Sequence, residues 1–265
     1  MDGIAQLKEA QKEGWKHFAP LETVTTPSAA RLVRFAGITP GTRVLDVGCG
    51  TGVVAITAAR LGARVDAIDL TPQLIERARE NALIARVEIQ FLEADAEELP
   101  FRDGEFDIVV SQFAHMFAPR PEVAIAQMLR VLRPGGTIAF STWPPELLVG
   151  RTMQLASRYM PPPPPGIPSP ILWGDPQIVT QRLGSAVADI VFDRDSIFVP
   201  ALTPQHFRMV IERSAGPIIK MIQALSVSDP DRLESYRAEF DAIVSQYMRE
   251  NLIKQDYLLT RARKV

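Results

Sequence analysis

The sequence predicts an α/β fold built on a doubly wound, mostly parallel sheet, and three observations support this. The first half of the chain alternates short apolar runs with amphipathic segments of helical length. The apolar runs show little alternation with polar residues, which is typical of strands buried on both faces. A glycine-rich turn separates the first run from the segment that follows it, as expected for a tight strand-to-helix connection.

The elements of the first half follow in a regular order. Five strands are predicted, at 43–47, 63–69, 87–92, 106–110 and 137–142. Helices are predicted at 53–60, after Thr71-Pro72 and at 121–132. Thr71 suits an N-cap and Pro72 suits a first helical turn. The third helix is followed by Pro134-Gly135, which favours termination there. Such strand–helix units predict helices on both faces of the sheet.

The second half of the sequence is interpreted as an insertion, and it includes two further strands. The prolines at 161–165 predict a stiff loop of extended geometry, and a ligand for a proline-reading domain is the alternative. Helices are expected to begin at Asp175-Pro176, Thr203-Pro204 and Asp229-Pro230. Strands at 190–199 and 257–260 are expected to return to the same sheet.

Composition excludes several classes of protein. The net charge of -2 provides no general field for a polyanion, so no nucleic-acid partner is expected. Cys49 is the single cysteine, which rules out an intramolecular disulfide and a cysteine-rich metal site. The first twenty residues are polar, and no run of about eighteen apolar residues occurs. These features predict a cytoplasmic protein without a membrane span.

The glycine-rich turn is the most informative motif. Gly48, Gly50 and Gly52 follow the first strand, whereas a dinucleotide-binding loop would place its third glycine at Val53. Asp46 stands two residues before the first glycine. A carboxylate here suits the cationic amino acid end of S-adenosylmethionine better than a pyrophosphate. Cys49 is interpreted as a small residue that permits close packing rather than as a redox switch.

Two further carboxylates follow the next two strands. Asp69 ends the second strand, where a carboxylate can accept hydrogen bonds from ribose hydroxyls. Asp95-Ala96 follows the third strand, and this pair could hold an adenine ring through the carboxylate and the Ala96 N–H. The alternatives are an exposed acid at a strand end and a turn residue.

The motifs together resemble those of class I S-adenosylmethionine-dependent methyltransferases, in the group that includes the ubiquinone and menaquinone C-methyltransferases. Four segments carry the resemblance in the usual order: 44–52, 69–72, 95–101 and 132–136. It implies a Rossmann-like methyltransferase fold with seven strands, of which the last is antiparallel. It also implies that 111–117 lines the site, that a carbonyl near Ser111 accepts from the donor's ammonium group, and that Leu70 lies beside the donor.

The resemblance covers residues 39–143 and is loose elsewhere, and the chain is expected to divide into three segments. Residues 1–38 are expected to form an N-terminal helical cap, in which Trp15 and His17 lie near the donor. Residues 39–143 form the S-adenosylmethionine-binding core. Residues 144–265 form the helical, proline-rich insertion that covers the active site, together with the last two strands of the same domain.

Methyl transfer to a nucleophile depends mainly on alignment and on the exclusion of water, so a base is needed only when the acceptor must lose a proton. His115 is the first candidate base, because it follows a strand near the expected donor. His17 is the second. A packed, non-catalytic histidine is the alternative at each position, and no metal is expected.

The sequence therefore predicts a methyltransferase that acts on O, N, C or S of a small apolar or aromatic acceptor. A non-catalytic protein that binds S-adenosylmethionine or S-adenosylhomocysteine is the first alternative. An NAD-dependent oxidoreductase is the second, and Val53 argues against it.

Overall fold

The computed structural model describes residues 3–265. Eight strands are present: β1 (Arg43–Val47), β2 (Arg64–Asp69), β3 (Gln90–Glu93), β4 (Phe106–Gln112), β5 (Leu132–Thr142), β6 (Val187–Pro200), β7 (Met248–Arg249) and β8 (Leu252–Lys264). The α-helices of the described residues are α1 (Gly3–Trp15), α2 (Glu22–Ala36), α3 (Val53–Arg60), α4 (Pro72–Ala85), α5 (Pro121–Val131), α6 (Leu148–Ser157), α7 (Pro176–Leu183), α8 (Pro204–Ser214), α9 (Gly216–Ser228) and α10 (Pro230–Ser245).

Seven strands form one sheet in the order β3-β2-β1-β4-β5-β8-β6. The first five are parallel, and β8 runs antiparallel to both of its neighbours. This confirms the predicted α/β class, the mostly parallel sheet and the antiparallel last strand. The two-residue strand β7 is additional and pairs with β8. Glu250 and Asn251 join them with positive φ angles of 48° and 63°, as a tight hairpin turn requires.

Helices cover both faces of the sheet. On one face α2 packs beside α3, and the Gln112 side chain of β4 donates a hydrogen bond to Thr25 of α2. The adjacent residue Ser111 points to the opposite face, where α5 packs against α7. Of the segment predicted as a cap, α1 lies over the strand ends, whereas α2 belongs to the layer that flanks the sheet. The reason is that one side of α2 buries Leu32, Val33 and Ala36 against strands.

The helix starts predicted from proline are confirmed, with one difference in how they are capped. Asp175, Thr203 and Asp229 each accept a hydrogen bond from a backbone N–H in the first turn of their helices. Thr71 precedes Pro72 of α4 as predicted, but its hydroxyl makes no capping hydrogen bond. Its N–H instead donates to Asp69 Oδ1 at 2.9 Å, and this hydrogen bond stabilises the turn after β2.

The last two long strands extend further than the sequence indicates. The predicted strand at 257–260 is part of the thirteen-residue β8, and β6 runs for fourteen residues beside it. β5 pairs with β8 only from Leu258 onward, so residues 252–257 project past the end of β5. Helix α6 packs on β8, and α10 packs on α6, α8 and α9. The third strand also begins later than predicted, at Gln90.

The prolines at 161–165 form no regular secondary structure, and Pro164 approaches the start of α1 at Gly3. No helix in the described part of the chain is both long and apolar enough to cross a lipid bilayer.

Candidate active site

A cavity of about 530 Å³ lies at the carboxyl ends of β1, β2 and β4. Its walls come from the sheet on one side and from α1, α6, α8 and α10 on the other. Ten of the residues predicted for the site line it: Trp15, Asp46, Gly48, Cys49, Gly50, Asp69, Leu70, Asp95, Ala96 and His115. Two predicted residues, His17 and Ser111, do not line it.

The turn after β1 is shaped by its glycines. Gly48 has a φ of +70°, and a Cβ at that position would lie 2.4 Å from the Cβ of Ala114. Any larger residue would therefore push the turn away from the segment after β4. The Cys49 N–H donates to the Ile68 carbonyl at 2.8 Å, which ties the turn to β2. The loop thus holds its backbone against the cavity in a shape that glycine permits.

Asp46 lines this cavity and has one carboxylate oxygen that is unpaired within residues 3–265. The residue is 1% exposed, and its Oδ2 accepts a hydrogen bond from the Ala55 N–H at 3.0 Å. Its Oδ1 is buried without a partner among the described residues. Burial raises the pKa of Asp46 to about 7, although the Ala55 N–H opposes this rise. A cationic ligand would supply the missing partner and would favour the ionised carboxylate.

Asp69 organises the two turns that meet at the site. Its Oδ2 accepts from the Gly50 N–H at 2.8 Å, and its Oδ1 accepts from the Thr71 N–H at 2.9 Å. Burial raises the pKa of Asp69, while these two backbone donors act in the opposite direction. Since each carboxylate oxygen has a second lone pair, both remain able to accept from a ligand hydroxyl.

Asp95 belongs to an ion-pair network that reaches the N-terminal helix. Lys8 of α1 contacts Asp95 Oδ2 at 2.6 Å and also contacts the Glu97 carboxylate. The Glu97 side chain is 1% exposed and pairs in addition with Arg120 at 2.7 Å. The predicted adenine-binding carboxylate therefore already accepts from Lys8, a partner that the sequence did not reveal.

Further contacts hold α1 across the cavity. Gln11 donates to the Phe117 carbonyl at 3.0 Å, and Lys12 pairs with Glu93 at 2.8 Å. On its other side, Gly14 packs so closely on Gly216 of α9 that a Cβ on Gly216 would lie 2.2 Å from the Gly14 backbone. Helix α1 thus touches both the strand ends and the inserted helices.

Aromatic side chains separate two parts of the cavity. Phe113 has a φ of +56°, which is rare for a residue with a side chain and is often found at functional sites. Its ring stacks on Trp143 with centroids 3.8 Å apart. Trp15 contacts Phe117 at 4.9 Å between centroids. Of the apolar residues considered from the sequence, Trp15 and Phe113 line the cavity, whereas Met116 lies in the core behind it.

The structure does not favour His115 as a base. Burial and the nearby Arg182 lower the pKa of His115 to about 3. Its ring lies 4.5 Å from the Phe140 ring and 4.7 Å from the Trp173 ring, between centroids. Neither ring nitrogen has a hydrogen-bond partner among the described residues. So weak a base removes protons inefficiently near neutral pH.

The other two predicted residues lie outside the cavity. His17 is exposed in the turn after α1 and does not line the cavity. Ser111 is fully buried, and its hydroxyl donates to the Val47 carbonyl at 2.7 Å and accepts from the His115 N–H at 3.1 Å. Ser111 therefore joins β4 to β1 and holds the turn that carries His115.

Part of the cavity is lined by residues that follow Trp143 in the chain, and we call this part the uncharged half. It carries no charged side chain among the described lining residues. Most of its side chains are apolar: Leu148, Val149, Met153, Ala156, Met160, Pro170, Phe207, Ile211, Ala215, Pro217, Ile218 and Phe240. The remainder are neutral and polar or aromatic: Thr152, Gln154, Ser157, Ser169, Tyr236 and Gln255. Burial raises the pKa of the Tyr236 phenol, which keeps it protonated.

Cys49 is buried in the turn after β1. Burial raises the pKa of the Cys49 thiol, which suppresses the reactive thiolate. No cluster of three or more His, Cys, Asp or Glu suited to a metal ion occurs within residues 3–265.

Sequence reasoning missed several lining residues of the site. Lys8 lies in a polar N-terminal segment that indicates no site, and no sequence motif marks Gln255 or Tyr236. The alternation along β8 could have placed Gln255 on the same face as Ile253 and Tyr257, if the strand had been predicted at its full length.

Comparison with known proteins agrees with this geometry. Residues 45–140 match the family described as a methyltransferase domain. An uncharacterized protein of Mycobacterium tuberculosis is 36% identical over 244 residues, which cover 92% of this chain and 89% of that protein. The ubiquinone biosynthesis O-methyltransferase of Xanthomonas campestris is 41% identical over 104 residues, 39% of this chain and 44% of that enzyme.

Among solved structures, the YcgJ protein of Bacillus subtilis has the same fold, with a TM-score of 0.60 and 19% identity over 90% of this chain and 98% of its own. The motifs, the sheet order and the sequence relatives agree, and the chain belongs to the class I S-adenosylmethionine-dependent methyltransferases.

Proposed function

We propose that this protein transfers a methyl group from S-adenosylmethionine to O, N, C or S of a small apolar or aromatic acceptor. The observation that carries the proposal is one continuous cavity with charged side chains at one end and none at the other. Such a division suits a charged donor and an uncharged acceptor that meet in the middle.

The residues at the charged end fit the donor. The unpartnered Asp46 Oδ1 suits the donor's ammonium group, and Asp69 has lone pairs free for ribose hydroxyls. Asp95 and Ala96 line the cavity next to these residues and would hold the adenine ring. Lys8 competes with the ring for one oxygen of Asp95. When bound, S-adenosylmethionine supplies a methyl group on a sulfonium, which is a good leaving group.

The chain's own contribution is alignment and exclusion of water. Trp15 and Phe117 stand over the donor end, while Phe113 and Trp143 stand where the two ends meet. A low-dielectric enclosure of this kind favours a transfer in which charge is neutralised. No proton transfer is assigned to His115, because it is buried and its pKa is about 3.

A protein that binds the donor without transferring a methyl group is the second candidate. The lack of an evident base among the described lining residues favours it. A site that only aligns its ligands has the same residues whether or not a methyl group is transferred.

Calorimetric titration with S-adenosylmethionine, S-adenosylhomocysteine and NAD is the first test. We expect micromolar binding of both sulfur compounds and none of NAD. Asp69→Ala should weaken binding by roughly 1.5–3 kcal/mol, since it removes charge-assisted hydrogen bonds. Asp66→Ala is the matched control, because Asp66 lies on the same strand and does not line the cavity.

Turnover of S-adenosylmethionine to S-adenosylhomocysteine with a panel of acceptors then separates the two candidates. Donor binding without turnover on any acceptor would favour the binding protein. Absence of donor binding would overturn both.

A further inference from the structure

One polar residue interrupts an apolar face of β8. Ile253, Tyr257 and Leu259 are buried on this face, and Gln255 stands among them at 4% exposure. Gln255 lines the uncharged half of the cavity. Since its buried neighbours on this face are apolar or aromatic, packing alone does not explain an amide here.

The amide of Gln255 lacks a partner. Its side chain makes no hydrogen bond with any residue in the described range 3–265. The amide atoms are not among the inaccessible unpaired side-chain atoms of the described residues, so they reach the cavity. A polar group on a cavity wall is normally hydrogen-bonded to water or to a ligand. Its position on the cavity wall makes a ligand the natural source of the missing bonds.

Gln255 also lies close to the point where the two ends of the cavity meet. Tyr257 is the next residue on the same face of β8, and its ring is 5.4 Å from the Phe113 ring and 6.4 Å from the Trp143 ring, between centroids. A group bound by Gln255 would therefore sit beside the aromatic stack that borders the donor end.

The surroundings restrict what that group can be. A charged acceptor would lose its hydration in a half-cavity that offers no opposite charge among the described lining residues. An amide can both donate and accept, so it satisfies a hydroxyl or a carbonyl on a neutral molecule.

We propose that Gln255 determines acceptor specificity, and that the acceptor is an uncharged, largely apolar ring compound whose hydroxyl or carbonyl group hydrogen-bonds to the Gln255 amide. This inference rests on the proposed function, because it assigns the uncharged half of the cavity to the acceptor. Gln255 acts as a binding and orienting residue and takes no part in proton transfer.

The experiment measures binding of three probes to the full chain saturated with S-adenosylhomocysteine. The probes are 2-naphthol, naphthalene and 2-naphthoate, which share a ring system and differ in the polar group. Quenching of tryptophan fluorescence reports binding, since Trp143 lines the cavity. We expect 2-naphthol to bind about tenfold more tightly than either of the other two, because a site built around a hydrogen bond rejects an analogue that lacks it.

Gln255→Leu should remove the preference for 2-naphthol over naphthalene and leave the dissociation constant of S-adenosylhomocysteine unchanged. Its melting temperature should stay close to that of the wild type, because the substitution removes no hydrogen bond within the described part of the protein. Gln223→Leu, on the exposed side of α9, is the matched control and should keep the preference.

Three results would overturn the inference: equal binding of 2-naphthol and naphthalene by the wild type, an unchanged preference in Gln255→Leu, or no binding of 2-naphthol. The proposed function fails separately, through absence of S-adenosylhomocysteine binding in the first titration.

Discussion

The two ends of the cavity are built in opposite ways. The donor end is made of backbone turns at strand ends, and carboxylates such as Asp46 and Asp69 anchor those turns. The opposite end is made largely of side chains from α6, α8, α9 and α10, which pack together through α10, and it has no charge among its described lining residues. The donor end therefore suits a charged ligand, and the opposite end suits an apolar one.

The largest effect should come from the backbone of the donor end. Gly48→Ala would place a Cβ 2.4 Å from the Ala114 Cβ at a positive φ, so the turn must move. Because each hydrogen bond lost to a buried ligand group costs about 1–3 kcal/mol, we expect the S-adenosylhomocysteine dissociation constant to rise by roughly 100-fold.

Gly135→Ala is the control for backbone strain alone, since Gly135 also has a positive φ and a Cβ there would meet nothing within 4 Å. It should lower the melting temperature and leave the dissociation constant unchanged. If Gly48→Ala binds as the wild type does, the shape of the turn is not what holds the donor.

The next effect concerns the charge of the donor end. The pKa of Asp46 is about 7 without ligand, so a cationic ligand must draw the carboxylate into its ionised form. Affinity for S-adenosylhomocysteine should therefore rise with pH up to about 7, by at most about tenfold per unit, with release of a proton. Asp46→Asn should abolish this dependence. Titrations at pH 6 and 7.5 in two buffers test it, and a pH-independent wild type would contradict it.

In the ligand-free protein the same group has the opposite effect on stability. Because burial raises the folded-state pKa of Asp46 above its unfolded value of 3.8, its contribution to folding is lost as the pH rises through about 7. Denaturation of the ligand-free protein should thus show a loss of stability with rising pH, and saturating ligand should largely cancel this loss.

A smaller effect is expected where α1 joins the two ends. Lys8→Met removes the ion pairs to Asp95 and Glu97, and partly buried pairs of this kind contribute about 1 kcal/mol. Stopped-flow measurements should show S-adenosylhomocysteine leaving several times faster. Lys16→Met is the control, since Lys16 pairs with Glu13 on the same helix. Equal release rates in the two variants would mean that α1 does not retain the donor.

The smallest effect is expected at His115, between the two ends. His115→Leu removes two unpaired ring nitrogens, so turnover should fall by less than about threefold if no proton passes through the ring. A loss of turnover of a hundredfold or more would restore His115 as a base.

Stability gives a second measurement on the same variant. Since the folded-state pKa of about 3 lies below the ordinary 6.5, the wild type should lose stability as the pH falls below 6.5. The variant should lose less over the same range, as followed by denaturant unfolding.

Some site residues could be predicted from the sequence because their placement is local. Asp46 and Asp69 end strands, and parallel strands bring such ends to one edge of a sheet, so motif and topology together predict their meeting. Ser111 shows the limit of this reasoning: strand alternation turns its side chain into the core, so only the backbone carbonyl predicted near this residue stays a prediction for the donor.

The sequence by itself determined the α/β class, the glycine turn and the carboxylates at the strand ends, because these depend on residue type and on spacing within short segments. The tertiary structure decided the burial of His115, the contact of Lys8 with Asp95 and the placement of Gln255 in the uncharged half of the cavity. Each of the latter depends on the packing of separate elements of the chain, and no local pattern encodes which side chains such packing brings into contact.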